Sequence, residues 1–306
     1  MKPRTFALLA LVVLALVWGY NWVLMKIAVE YSSPFAFAAE RTIGGGIALL
    51  LLAPLLRRPL LPERLIGYAL LGLFQTAGFL GLVTWAVVTA GAGKVAMLSY
   101  TMPFWVVLLA WPLLGERLRA VQGLAIAIAL GGVVCMVGPL QGAWFADILA
   151  MLAGISWAIG VMIAKRLQRE ADLDLYNMTM WQMLFGGAVL LLVALVAPQR
   201  PTEWSATYLW ILAYNIVLAS AVGYALWTFV LKVLPAREAS MGTLSNPLVG
   251  VLASWAQLGE QPSAREGSGM FLVLVGLLLL SFGDRLRLPG ITTRKHERIA
   301  DHKEAG

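Results

Sequence analysis

The chain has 306 residues, of which 60% are hydrophobic and 13% charged, with a mean hydropathy of +0.81. A soluble domain is about a quarter charged, so these values exclude a soluble globule and a disordered chain and leave a polytopic membrane protein. The formal charge of +7 comes from basic residues in short loops and the tail, which fits orientation signals and anionic lipid, not nucleic acid.

Ten segments have the length and composition of membrane spans: 6–27, 34–56, 65–87, 94–114, 121–139, 145–164, 175–197, 206–230, 238–258 and 267–283. The first follows Lys2 and Arg4 like a signal sequence, but Trp18 to Trp22 continues the apolar run and no cleavage is expected. With the N-terminus inside, only Lys94, Arg200 and Arg265 of the loop cations face outward. Both termini are therefore expected in the cytoplasm of a multi-pass inner-membrane protein. The stretch 284–306 reads as a charged cytoplasmic tail.

The chain repeats itself. Pro103, Val107, Trp111, Leu114, Gly115, Glu116, Gly123 and Gly132 return at a constant offset of 144 as Pro247, Val251, Trp255, Leu258, Gly259, Glu260, Gly267 and Gly276. Trp18 and Lys26 match Trp157 and Lys165 at an offset of 139. Two units follow, 1–139 and 140–283, each with five spans. Five is odd, so the second unit enters from the opposite side. The expected fold is all-α, with ten transmembrane helices in two inverted five-helix repeats and a site at the seam.

The run Trp18-Gly19-Tyr20-Asn21-Trp22, Arg41 early in span two, Pro103 in span four and Gly115-Glu116 at its end resemble the EamA pattern of the drug/metabolite transporter superfamily. The resemblance extends over 6–283. It resembles specifically the bacterial amino-acid exporter branch, of the aromatic-amino-acid exporter (YddG) type. It implies export of small metabolites, amino acids above all, by alternating access. In the second half Ala158-Ile159-Gly160 replaces Gly19-Tyr20-Asn21, and Gln182 stands at the Arg41 position.

Several residues are candidates for the substrate site. Proline in a helix withholds one backbone donor, so Pro103 would free the Ser99 carbonyl and Pro247 that of Thr243. Both prolines follow polar residues: Ser99 and Tyr100 in one unit, Thr243, Ser245 and Asn246 in the other. These are either broken helices facing a substrate ammonium or kinked packing helices. Trp18, Asn21 and Trp157 lie deep in their spans. With Gln75, Phe79, Met97, Trp181, Tyr214 and Tyr224 they would form an aromatic, thioether-lined cavity or ordinary interhelical packing.

Arg41 is an intramembrane charge that would hold a carboxylate or pair with another helix. Glu40 is adjacent, but its side chain diverges. Gly91 and Gly93, with Pro103 and Pro247, are candidate hinges. The expected partners are a small-molecule substrate and the lipid bilayer, with no nucleic acid; no oligomeric state is read from the sequence. Histidines occur only at His296 and His302, and no nucleophile elbow or ATP-binding loop is present. No catalytic residue, metal or cofactor is expected, and the remaining alternative is a passive metabolite channel or an exporter of another small solute or drug.

Overall fold

The computed structural model describes residues 3–115, 118–137, 144–170, 172–198, 200–234 and 244–282. Every regular element among them is helical. In chain order they are α1 (Pro3–Tyr31), α2 (Pro34–Leu52), α3 (Leu65–Thr89), α4 (Ala92–Ser99), α5 (Met102–Leu114), α6 (Ala120–Met136), α7 (Trp144–Glu170) and α8 (Leu175–Val196). Then α9 runs Ala206–Tyr214, continues as a π-helical stretch Asn215–Val222 and resumes as Gly223–Val233. The last two are α10 (Ser245–Leu258) and α11 (Ala264–Phe282).

Each expected span overlaps one or two of these helices. Seven helical segments are long and apolar enough to cross a membrane, and Ala120–Met136 and Ala206–Val222 are shorter apolar helices. The chain is thus an all-helical protein of polytopic membrane type. Its polarity is inverted relative to a soluble fold. Val196 is 87% exposed and Trp210 76%, whereas Asn21, Arg41, Thr84, Asn215 and Asn246 are buried. Large apolar side chains on the outside are at home in lipid.

Local chemistry explains the helix ends. Pro34 opens α2, where its missing N–H costs nothing. Asp174 caps α8 by accepting from Asn177 N, and Ser205 caps α9 by accepting from Tyr208 N. Gly115 and Gly259 end α5 and α10, each with φ of +68°, a left-handed conformation that glycine adopts without penalty.

The same devices recur in both halves. α3 carries a π-helical stretch at Gly72–Gly78, matching that of α9 at the repeat offset to within a residue. α1 packs on α10 as α7 packs on α4 and α5; α2 packs on α8, and α6 on α11. The last pair approaches backbone to backbone. A methyl built on Gly132 would lie 2.6 Å from Gly269 O, and one on Gly269 would lie 2.6 Å from Gly132 O.

Polar contacts gather at two ends of the bundle. At one, Ser32 meets Thr202, Ser33 Oγ donates to Arg200 O, Lys26 donates to the carbonyls of Val87 and Ala90, and Lys94 meets Asp147 and Glu266. At the other, Arg58 pairs with Asp174 at 2.8 Å, and Asn177 Nδ2 donates to the carbonyls of Pro59 and Leu61.

Pro103 differs from expectation in detail. It does not kink a continuous helix. The helix stops at Ser99, turns through Tyr100 and Thr101, and restarts at Met102, placing Pro103 in the first turn of α5. There its missing N–H disrupts nothing in α5, and the donor that Ser99 O would take is still absent. Pro247 likewise sits in the first turn of α10.

Candidate functional site

The π-helical stretches widen one turn each and expose carbonyls to neighbouring helices. In each half a side chain of the packed helix reaches one of them. Trp18 Nε1 of α1 donates to Ala219 O at 2.9 Å, and Ser156 Oγ of α7 donates to Phe74 O at 2.7 Å. Tyr214 OH returns a bond to Val17 O at 2.9 Å, so α1 and α9 are stitched from both sides.

Beside this seam lies a buried polar group. Oriented with its oxygen toward Arg41, the Asn21 amide accepts from Nη2 at 3.1 Å and Nη1 at 3.3 Å, and its nitrogen donates to Asn215 Oδ1 at 2.8 Å. Asn215 Nδ2 donates to Ile211 O, and Ser220 Oγ donates to Asn215 O. Arg41 is 7% exposed, with its guanidinium 5.8 Å from the Phe37 ring centroid. An ion held this deep needs such partners to offset desolvation. Glu40 turns the other way: Tyr208 OH donates to its Oε2, and Thr202 Oγ1 lies 3.5 Å from its Oε1. The two adjacent charges thus serve different helices.

A second group lies beside Trp22 of α1. Tyr100 packs edge-on against Trp22, with ring centroids 6.4 Å apart, and its hydroxyl interacts with the Asn246 side chain. Asn246 is buried, and its Oδ1 has no donor among the described residues. Such a buried acceptor calls for an explanation. Ser245 and Asn246 open α10, and the backbone of Gly19 comes close to Asn246 O and Val249.

A third group joins α3 to α7. Phe79 and Trp157 meet with ring centroids 4.9 Å apart, and Gly160 leaves room for Gln75.

Other predicted residues are placed elsewhere. Trp181 donates to Leu60 O near the Arg58 end and packs on Phe185. Met97 is core, and Ser99 Oγ donates back to Val95 O at 2.7 Å. Gly91 caps α4, with the Glu260 carboxylate over it, and Gly93 lets α4 approach the Val251 backbone. Thr243 and the Tyr224 side chain lie outside the described residues. A separate cleft between α5 and α6 is lined by Thr101, Trp105 and Ile126, none of them among the predicted residues.

Sequence reasoning missed Asn215 and Asp147. Each is a strongly polar residue within an apolar helix, the signal that singled out Asn21 and Arg41. Asp147 pairs with Lys94 at 3.0 Å. Outside the spans, burial draws the Asp174 carboxyl upward, but the Asn177 N–H and the Arg58 guanidinium outweigh burial and hold it below the usual carboxylate range.

The profile of a family described as the EamA-like transporter family matches residues 5–138 and again 144–282. The uncharacterized transporter YoaV of Bacillus subtilis (strain 168) is 27% identical over 283 residues, 90% of this chain and 96% of its own. The uncharacterized inner membrane transporter YedA of Escherichia coli (strain K12) is 27% identical over 282 residues, 90% of this chain and 91% of its own. A probable amino-acid metabolite efflux pump of Salmonella typhimurium (strain LT2) is 27% identical over 298 residues, 93% of this chain and 97% of its own. A crystal structure aligns with a TM-score of 0.65 and 19% identity over 91% of this chain and 98% of its own, a likeness of fold alone.

Proposed function

Because the chain belongs to the EamA-like transporter family, we propose that this membrane transporter of small metabolites exports amino acids, neutral or aromatic, across a bacterial inner membrane. On this reading it is a secondary transporter of the aromatic-amino-acid exporter type. Residues 1–139 and 140–283 are two five-helix units in opposite orientation. Their ten spans leave both termini and the tail 284–306 in the cytoplasm, and access alternates around the seam. The double match of the family profile, the paired π-helical stretches and the paired left-handed glycines support this arrangement.

The observation that carries the substrate class is a buried cation together with a buried acceptor that has no donor among the described residues. Arg41 is a donor for a carboxylate, oriented by Asn21 and Asn215. Asn246 Oδ1 is an acceptor for an ammonium group. A zwitterion matches both. Trp18, Trp157, Phe79 and Tyr100 supply aromatic surface for its side chain, and Gly91, Gly93, Pro103 and Pro247 mark where helices shift. The name of the Salmonella relative supports the same class.

The test is counterflow in proteoliposomes holding the purified protein, with a panel of radiolabelled amino acids. Saturable uptake stimulated by unlabelled amino acid inside supports the proposal. Linear, unstimulated flux indicates a passive channel, and no flux of any amino acid sends the search to other small solutes or drugs.

A further inference from the structure

We propose that Asp147 is a proton-binding site and that its protonation releases the N-terminus of α4 from α7. The use of that site in transport rests on the transporter reading above; the site itself rests on packing at one end of the bundle.

Lys94, in the first turn of α4, lies between two carboxylates from different helices. Its Nζ is 3.0 Å from Asp147 Oδ2 of α7 and 3.4 Å from Glu266 Oε1 of α11. Glu266 has further partners, since its Oε2 accepts from Ser263 N at 3.0 Å and Ser263 Oγ at 2.9 Å. Asp147 does not. It is 1% exposed, and its Oδ1 has no donor among the described residues. One ammonium serves two carboxylates, so the group carries one negative charge in excess.

The other cations on this face are held on other partners. Lys26 of α1 gives its Nζ to the carbonyls of Val87 and Ala90, and Arg265 of α11 donates to those of Val134 and Val137. Glu260, beyond the end of α10, lies over Gly91 with its Oε2 buried and without a donor among the described residues, which adds negative charge. Beyond Tyr68, α3 has no titratable side chain, nor has α5, and α6 has only Cys135.

A buried carboxylate with one oxygen unserved is costly, and a proton removes that cost. The proton comes from water on this face and forms an O–H bond on Asp147; no other bond is made or broken. The neutral acid no longer holds Lys94, which then pairs with Glu266 alone. The start of α4 is where α7, α10 and α11 meet, through Asp147, through Val251 and Glu260, and through Glu266. Losing the α7 tie frees that junction, so acid on this face favours opening there. The transport this implies is proton-coupled.

The experiment needs no substrate, so its outcome is separate from that of the counterflow test. Infrared difference spectra between neutral and acid pH are recorded on the protein in lipid nanodiscs, unlabelled and with carboxyl-13C aspartate, and on Asp147→Asn. Amide hydrogen exchange over residues 92–99 is followed in parallel, corrected for intrinsic rate. The expected result is a protonated carboxylic-acid band that grows on acidification, shifts with the aspartate label and is lost in Asp147→Asn, with faster exchange in α4 at acid pH in the wild type alone. No such band, a band that ignores the label, or equal acceleration in Asp147→Asn overturns the proposal. The isotope arm uses wild-type protein, so an absent band or one that ignores the label overturns the proposal even if the variant fails to fold.

Discussion

Asn21 and Arg41 meet across the α1–α2 interface through one amide oxygen that accepts from both guanidinium nitrogens, at 3.1 and 3.3 Å. Because Asn21 also bonds Asn215, the three residues tie the first two helices to the π-helical stretch of α9. Removing the amide leaves the cation with fewer partners in a buried place. A hydrogen bond to a charged group is worth about 2 kcal/mol. Asn21→Ala should therefore lower stability by about that amount in thermal unfolding, and Asn21→Asp should restore it through an ion pair with Arg41. An unchanged melting curve in Asn21→Ala would remove Arg41 from this network.

Trp18 lies on α1, and Tyr100 packs against Trp22 of the same helix. Trp18→Ala and Tyr100→Ala should each weaken transport about tenfold, equivalent to about 1.4 kcal/mol of lost binding, while the protein remains folded. Transport kinetics alongside size-exclusion profiles check this. Wild-type transport in both variants would rule out the aromatic surface as part of the site.

Pro103 keeps α4 and α5 apart at the Tyr100–Thr101 turn. Pro103→Ala lets the two helices merge, which should slow exchange between the two access states without lowering stability. The turnover rate in exchange assays reports on this; an unchanged rate would show that the break has no part in gating.

At the α6–α11 contact there is no space for a side chain. Gly132→Ala should cost about 1–3 kcal/mol through overpacking, because the added methyl meets Gly269 O at 2.6 Å. Gly131→Ala is the control, since a Cβ there meets nothing within 4 Å. Thermal unfolding of the two variants side by side separates packing from helix propensity.

Asp174 supplies a pH dependence outside the membrane. Its folded-state pKa is depressed by Asn177 N–H and Arg58 bonds that outweigh burial. Its contribution is present above the unfolded value of about 3.9 and is lost as pH falls through the folded value. Unfolding curves between neutral and acid pH should show this loss in the wild type and a flatter profile in Asp174→Asn. That variant keeps a capping side chain, so its cost at neutral pH should be under about 1 kcal/mol.

The apolar helices were largely legible because runs of apolar residues act locally, although the expected span 94–114 is two helices. The π-helical stretches were not, since one extra residue per turn leaves no mark on hydropathy and depends on packing against α1 and α7. Asn21 and Arg41 stood out as polar residues in apolar helices. Asn215 carries the same signal but sits among Tyr, Ser and Ala residues that soften the contrast. Trp181 was grouped with the cavity on residue type, yet its indole N–H finds a backbone carbonyl at the polar end of the bundle, as aromatic residues near an interface often do. The Lys94–Asp147–Glu266 group joins residues far apart in sequence, so only the fold brings it together.

The most direct test of opposed five-helix units is the sidedness of the two termini. In a Cys135→Ser background, single cysteines placed at the first and last residues are labelled with a membrane-impermeant maleimide in intact spheroplasts and in inside-out vesicles. Two oppositely oriented five-span units with both termini in the cytoplasm require both cysteines to react only in the inside-out vesicles. One terminus reacting in spheroplasts and the other in inside-out vesicles would contradict the account.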